Sequence, residues 1–431
     1  MTPSLSVRPG RALVDEVLEV DARGFDPGRR VTLTAVSALA SGTWRGAATF
    51  VADDDGVVDP GTAAPVDGAY DGVRPMGLFQ FADPAPGADV DPPTTRLSAR
   101  VDGEVVATAT CERRAEAAGV ESVAVEHDRL VGELLVPPGD GPHPGVLLLG
   151  GSGGGVPTGP RASLLASRGY AVLALAYFDA PGLPDELVEI PLAYFDDAVA
   201  WLSDHDAVRA DPLGALGVSR GTEAAIQVAA RTDAVRTVVA VVPGSHRFQG
   251  LSREFSGGTS AWSERGEPTP YVPFRWGWTD TLKLLANLLL GRPNDLSMAY
   301  AGGLADADVD CREAAALPVA EVGGPILLVS GDDDALWPST AFAERLLGRL
   351  DDADYPHPHE HVVAEGAGHG ISVPYLPVGD RTVAGDGRFR FHLGGTPGAY
   401  ARADAETWPR VLRTLQEGLL VGSDRDLATE E

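Results

Sequence analysis

The 431-residue sequence contains a single lysine, Lys283, so arginine carries the rest of its positive side-chain charge. Against 34 lysines and arginines stand 62 aspartates and glutamates, for a formal net charge of −28. A chain so poor in cations has no generic nucleic-acid footprint, because a phosphate backbone demands a basic surface. Cysteine is equally scarce. Cys111 and Cys311 build no disulfide framework and have no metal-ligand spacing, so both are expected to be buried thiols. No apolar run reaches the ~18 residues of a membrane helix. The opening MTPSLSVRPG lacks the basic segment and apolar core of an export signal. The expectation is a cytoplasmic protein without a membrane partner. Acid excess with almost no lysine points to a halophile, haloarchaeal in style, whose salt screens the self-repulsion of such a charge.

What is present divides in two. Residues 1–118 read as a small β-sandwich: VTLTAVSA (31–38), AATFVAD (47–53) and LSARVDGEVVATAT (97–110) are β-branched and alternating, with turns at DPG, DDG and DG. ERRAEAAGVES (112–122) reads as a linker. From 119 to 431 buried strands alternate with helices, the pattern of a mostly parallel sheet with helices on both faces. The strands are VLLLGG (146–151), AVLALAYF (171–178), LGALGVS (213–219), TVVAVVPG (237–244) and PILLVSG (325–331). Between the last two lies an insertion, about 245–315, with three tryptophans and the helical stretch TLKLLANLLL. Insertions of this length commonly form a cap over a site.

Two segments match G-x-S-x-G, GGSGG at 150–154 and GVSRG at 217–221. Ser219 has the setting of a nucleophile: a buried strand before it, glycines at −2 and +2 to allow a sharp turn, and a helix at once after it. Ser152 sits in a glycine-rich loop where no helix can start. That loop suits an oxyanion hole, with backbone N–H groups near Ser152 and Gly153 joined by the N–H of Arg220. The triad order of this arrangement is serine, acid, histidine. SGDDDALWP follows a buried strand and offers Asp334, with Asp333 as the alternative. His369, in the glycine-bounded loop of AEGAGHGIS, is the candidate base. HPHEH (357–361) could suggest a metal, but is read as an ordinary strand edge. No metal and no cofactor is expected.

HPGVLLLGGSGGGVPTGPRASLLASRGYAVLALAYFDAPGLPDEL, LAYFDDAVAWLSDH, LGVSRGTEAA, SGDDDALWP and GAGHGISVPYLP together resemble the acyl-CoA thioesterase / bile acid-CoA:amino acid N-acyltransferase family. RALVDEVLEVDARGFDPGRRVTLTA and DGAYDGVRPMGLFQF resemble its N-terminal β-domain. The resemblance implies an α/β-hydrolase domain behind an Ig-like sandwich, with Ser219, Asp334 and His369 as the triad. It implies a serine hydrolase of acyl-CoA thioesters; a carboxylesterase or an amino-acid N-acyltransferase with the same triad is the alternative. The family's transferases carry cysteine at the nucleophile position, so serine leans toward hydrolysis. A CoA substrate asks for cations, and Arg161, Arg220 and Arg253 are candidates. Trp276 and Trp278, with Arg161, are candidate substrate-binding residues. The expected partner is a small acyl-CoA or ester.

Overall fold

The computed structural model describes residues 2–252, 258–379, 381–386 and 389–419. They cluster into two compact units, one from 1–117 with 372–381 and 400–405, the other from 118–371, 382–399 and 406 onward.

The first unit is a two-layer β structure. Ser4–Arg8, Glu19–Arg23 and Val57–Val58 form one sheet, and a second sheet is built around Arg30–Leu39, Gly42–Val51, Thr94–Val101 and Glu104–Arg114. Val20 and Ala22 from the first sheet pack with Val31, Leu33, Phe50 and Leu97 from the second in one core. The stretch 97–110 lies within a hairpin, turned at the DG where the sequence places a turn. Asp102 and Gly103 turn it at φ 49° and 87°, the two left-handed residues that a tight hairpin loop requires. Residues 112–114, expected in a linker, complete a strand, with Glu112 paired to Arg11. The later stretches join this unit through backbone carbonyls: the Gln80 side-chain amide donates to Ala401 O at 3.2 Å, and Arg113 donates to Tyr375 O at 2.7 Å.

The second unit is centred on an eight-stranded sheet. Its strands are β1 (Glu121–Ala124), β2 (Val131–Val136), β3 (His143–Leu149), β4 (Ala171–Ala176), β5 (Val208–Val218), β6 (Val235–Val241), β7 (Ile326–Gly331) and β8 (His359–Ala364). In space they run β1-β2-β4-β3-β5-β6-β7-β8. β2 is antiparallel to β1 and β4, and the remaining pairs are parallel. The helices are α1 (Pro160–Ser167), α2 (Leu192–Asp204), α3 (Arg220–Arg231), α4 (Trp278–Leu290), α5 (Ser297–Asp306), α6 (Val309–Ala315), α7 (Ser339–Asp352) and α8 (Pro397–Leu419). All six residues of β4 and all six of β7 are buried, which is why the central strands read as unbroken apolar runs. This is the α/β-hydrolase order. Among the described residues no helix is long and apolar enough to cross a membrane.

Register brings distant residues together. Leu149 pairs with Gly217, Val218 with Val241, Val241 with Val329 and Gly331 with Ala364. The carboxyl ends of β3, β5, β6, β7 and β8 therefore share one edge of the sheet, where ligand sites of open α/β sheets lie. The loops leaving that edge carry Ser152, Ser219, Asp334 and His369. The insertion between β6 and β7 adds α4–α6 and two short strands, Trp262–Glu264 and Glu267–Pro268, the first paired with Ile190–Pro191. Phe248, Val272 and Tyr300 of the insertion pack with Trp337 and Phe342 in a small core.

Candidate active site

Ser219 ends β5 and caps α3, with φ 54° and ψ −123°. That is a strained conformation for a residue with a side chain, of the sort stored at functional turns. The flanking glycines are obligatory because backbone passes too close for any Cβ. A Cβ on Gly217 would lie 2.4 Å from Gly221 O, and one on Gly221 would lie 2.3 Å from Gly150 O. The turn leaves Ser219 Oγ 2.8 Å from His369 Nε2, and His369 Nδ1 is 2.8 Å from Asp334 Oδ2. An ionised carboxylate only accepts, so Nδ1 holds the proton and Nε2 accepts from the serine hydroxyl. The other carboxylate oxygen of Asp334 accepts the Leu336 and Trp337 N–H groups at 3.0 and 3.2 Å. The Asp334 side chain is 1% exposed and that of His369 8%.

The three adjacent aspartates have separate tasks. Asp332 accepts the Gly366 N–H at 2.6 Å and Asp333 accepts the Gly395 N–H at 2.9 Å, so both pin neighbouring loops. The histidine is held from several sides: its N–H donates to Leu393 O at 2.7 Å, and its ring meets the Trp337 ring edge-on at 5.8 Å. Trp337 is itself anchored by its indole N–H on Val242 O at 3.2 Å.

Ser152, Gly153, Ser219 and Arg220 line one cavity of about 570 Å³. Its walls are largely apolar, with Phe178, Leu251, Leu296, Tyr300, Trp337 and Phe391. Asp179, Asp185 and Glu186 also border it. The glycine-rich loop passes close to Ser219 at Gly151: a Cβ there would stand 3.0 Å from Ser219 Cβ. The Arg220 N–H is the first of α3 and so has no intrahelical acceptor.

The Arg220 side chain does something the sequence did not suggest. It lies 2.9 Å from the Glu223 carboxylate, with both side chains at most 1% exposed. It also donates to Phe248 O and Gln249 O, each at 3.2 Å. Glu223 accepts the Trp262 indole N–H at 2.7 Å and the Phe248 N–H at 3.4 Å. Burial pushes the Glu223 carboxyl up, and Arg220 with these hydrogen bonds opposes it. α3 is thus tied to the insertion by the hydrogen bonds that its own buried ion pair makes to Phe248, Gln249 and Trp262. Tyr300, pushed up to about 12 by burial, keeps its hydroxyl proton at any physiological pH.

The remaining candidates are placed elsewhere. Arg161 does not line the cavity and donates to Ile371 O at 3.1 Å. Trp276 and Trp278 do not line it either, and Trp278 is 77% exposed at the start of α4. Arg220 lines the cavity while its charge is committed to Glu223. Arg253 lies outside the described residues. The HPHEH histidines serve the strand edge: His361 Nε2 lies 2.9 Å from Ser330 Oγ, and His359 Nδ1 lies 3.0 Å from His357 O.

Two family models match the chain. One is described as the acyl-CoA thioester hydrolase/BAAT N-terminal region, over residues 15–127, and the other as the BAAT / acyl-CoA thioester hydrolase C terminal, over 190–420. Among curated proteins, mouse acyl-coenzyme A thioesterase 6 is 31% identical over 97% of both chains. The mouse peroxisomal succinyl-coenzyme A thioesterase is 29% identical over 96% of both, and mouse mitochondrial acyl-coenzyme A thioesterase 2 is 30% identical over 95% of this chain and 88% of its own. Among solved structures, a dienelactone hydrolase from Anabaena variabilis covers 68% of this chain and 98% of its own, at 18% identity and a TM-score of 0.34.

Proposed function

From the premise that this chain belongs to the BAAT/acyl-CoA thioester hydrolase family, we propose that it hydrolyses acyl-CoA thioesters through Ser219, His369 and Asp334. The observation that carries this reading is the unbroken chain of hydrogen bonds from Ser219 Oγ to the Asp334 carboxylate at the wall of an apolar cavity. His369 Nε2 takes the hydroxyl proton as Oγ attacks the thioester carbonyl. Asp334 holds the imidazole in the productive tautomer and stabilises its charged form. The tetrahedral oxyanion forms beside the Arg220 N–H and the backbone of the Gly151–Gly153 loop, each good donor being worth ~3 kcal/mol. Collapse breaks the C–S bond, and the imidazolium returns its proton to the departing thiolate. A water molecule, deprotonated by the same histidine, then cleaves the acyl-enzyme and restores the serine.

The cavity walls favour an apolar acyl chain. Asp179, Asp185 and Glu186 at its border disfavour a second carboxylate, because like charges at short range cost energy. The expected preference is for monocarboxylic acyl-CoAs over succinyl-CoA, read as kcat/KM across a panel of acyl-CoAs. A succinyl-CoA preference would contradict this account of the cavity. The excess of acid further supports a halophile's cytoplasm, where unfolding by heat should shift upward between 0.1 and 2 M KCl.

A further inference from the structure

α4 buries none of its residues. Trp278, Leu282, Leu285 and Leu289 are 77%, 49%, 52% and 84% exposed. Their spacing of four, three and four puts them within about 60° of one helix face, the a/d seam of a helix that packs on another helix. On a flanking face, Leu284 and Leu288 are only half-buried. The stripe is also a gap in the charge. α4 carries one acid, Asp280, and the chain's one lysine, Lys283, so it is neutral in a molecule of net charge −28.

From this stripe we infer that α4 pairs with α4 of a second copy of the chain in an antiparallel, two-fold dimer. Three observations select that occupant. First, Trp278, Leu282, Leu285 and Leu289 form a heptad line that fits a helix of like pattern, with Leu290, 62% exposed, beside it. A helix that lies on a membrane has a polar face rich in lysine or arginine, whereas α4 has one lysine. Second, the apolar residues of α4 expose roughly 600 Å² by their fractional exposure, most of the ~800 Å² that one partner gives to a standard interface. Third, this helix is a locally neutral place on a chain of charge −28, so two copies that meet there bring no unpaired like charges into contact. A two-fold axis at the midpoint of the stripe sets Trp278 against the partner's Leu289 and Leu282 against the partner's Leu285, large against exposed at both ends. The pairing does not depend on what the cavity hydrolyses.

The test is the mass of the full chain in 2 M KCl by sedimentation equilibrium at micromolar to tens of micromolar concentration. The expected species is twice the 44.8 kDa chain. Leu285→Glu/Leu289→Glu should be a monomer with unchanged circular dichroism, since both positions face solvent within one chain. The milder Leu282→Ala/Leu289→Ala should weaken dimerisation at least tenfold without adding charge. A monomeric parent, or a dimer that persists in both variants, overturns the proposal. So does flotation of the parent, lost in the variants, with phosphatidylcholine vesicles, which would make a lipid surface the occupant.

Discussion

At the carboxyl edge of the sheet an added carbon collides with backbone; along α4 a whole leucine side chain meets water. Cβ atoms on Gly217, Gly221 and Gly331 would fall within 2.4 Å of neighbouring carbonyl oxygens, while Leu289 is 84% exposed. The two regions are consecutive parts of one compact unit, yet they are determined by different forces. At the edge, strand register and steric exclusion leave one way for the chain to turn, and the reacting groups inherit that definition. In the insertion, position is set by a small aromatic core and by the buried contacts of Arg220 and Glu223, and one helix remains to be covered from outside. Close steric definition is concentrated at the sheet edge, and exposed apolar surface along α4.

The sharpest way to break that contrast is inside the edge itself. Asp334→Asn preserves shape but offers the histidine the wrong tautomer, and kcat should fall about 10⁴-fold. Asp333, one residue away, accepts the Gly395 N–H, and Asp333→Asn should change kcat less than tenfold. Steady-state kinetics on the two variants checks this; equal losses would show that the aspartates act as a charged loop without an individual role. Next in size is the tie between the regions. Glu223→Gln leaves the Arg220 charge buried without its counter-ion, and stability to denaturant should drop by about 4 kcal/mol. Because Arg220 follows the nucleophile, kcat should fall more than KM changes. A variant of parental stability would mean that the buried Arg220 charge does not need Glu223 as its partner.

A smaller effect belongs to the insertion alone. His246, 4% exposed, has its pKa lowered to about 4 by burial and by Arg349, Arg345 and Arg312, with Glu313 opposing and Ser245 Oγ 2.8 Å from its Nδ1. The unfolded chain binds a proton here near pH 6.5, and the folded chain does not until about pH 4. Stability is therefore fully present above pH 6.5 and is lost as pH falls toward 4, by between about 2 and 3 kcal/mol. His246→Asn should flatten this part of the pH dependence of thermal unfolding. An unchanged slope between pH 6.5 and 4 would assign the acid sensitivity to other groups.

The same contrast explains what could be read from the sequence. Unbroken apolar runs marked the central strands because both faces of the sheet are covered, and glycines at −2 and +2 marked Ser219 because only glycine fits there. The loops of Asp334 and His369 were legible because each follows a buried strand whose end is fixed by register. Glu223 was not: a carboxylate inside a helix carries no local sign that Arg220, Trp262 and Phe248 will surround it. Gly151 was hidden among five neighbouring glycines of its loop. Trp276 and Trp278 were misleading because aromatic content says that an insertion buries or binds something, while which face does so depends on packing across the chain. The 97–110 hairpin was legible at its turn, because Asp-Gly accepts the left-handed backbone that a two-residue loop needs.

The measurement that bears most directly on the central claim is thiol release from acyl-CoAs in 2 M KCl by the parent and by Ser219→Ala, beside p-nitrophenyl esters. The account predicts acyl-CoA cleavage with a kcat/KM well above that for the esters. It also predicts a loss of about 10⁴-fold or more in Ser219→Ala with the fold intact. Thiol release at the parental rate in Ser219→Ala, or a parent that cleaves the esters as well as any acyl-CoA, would contradict it.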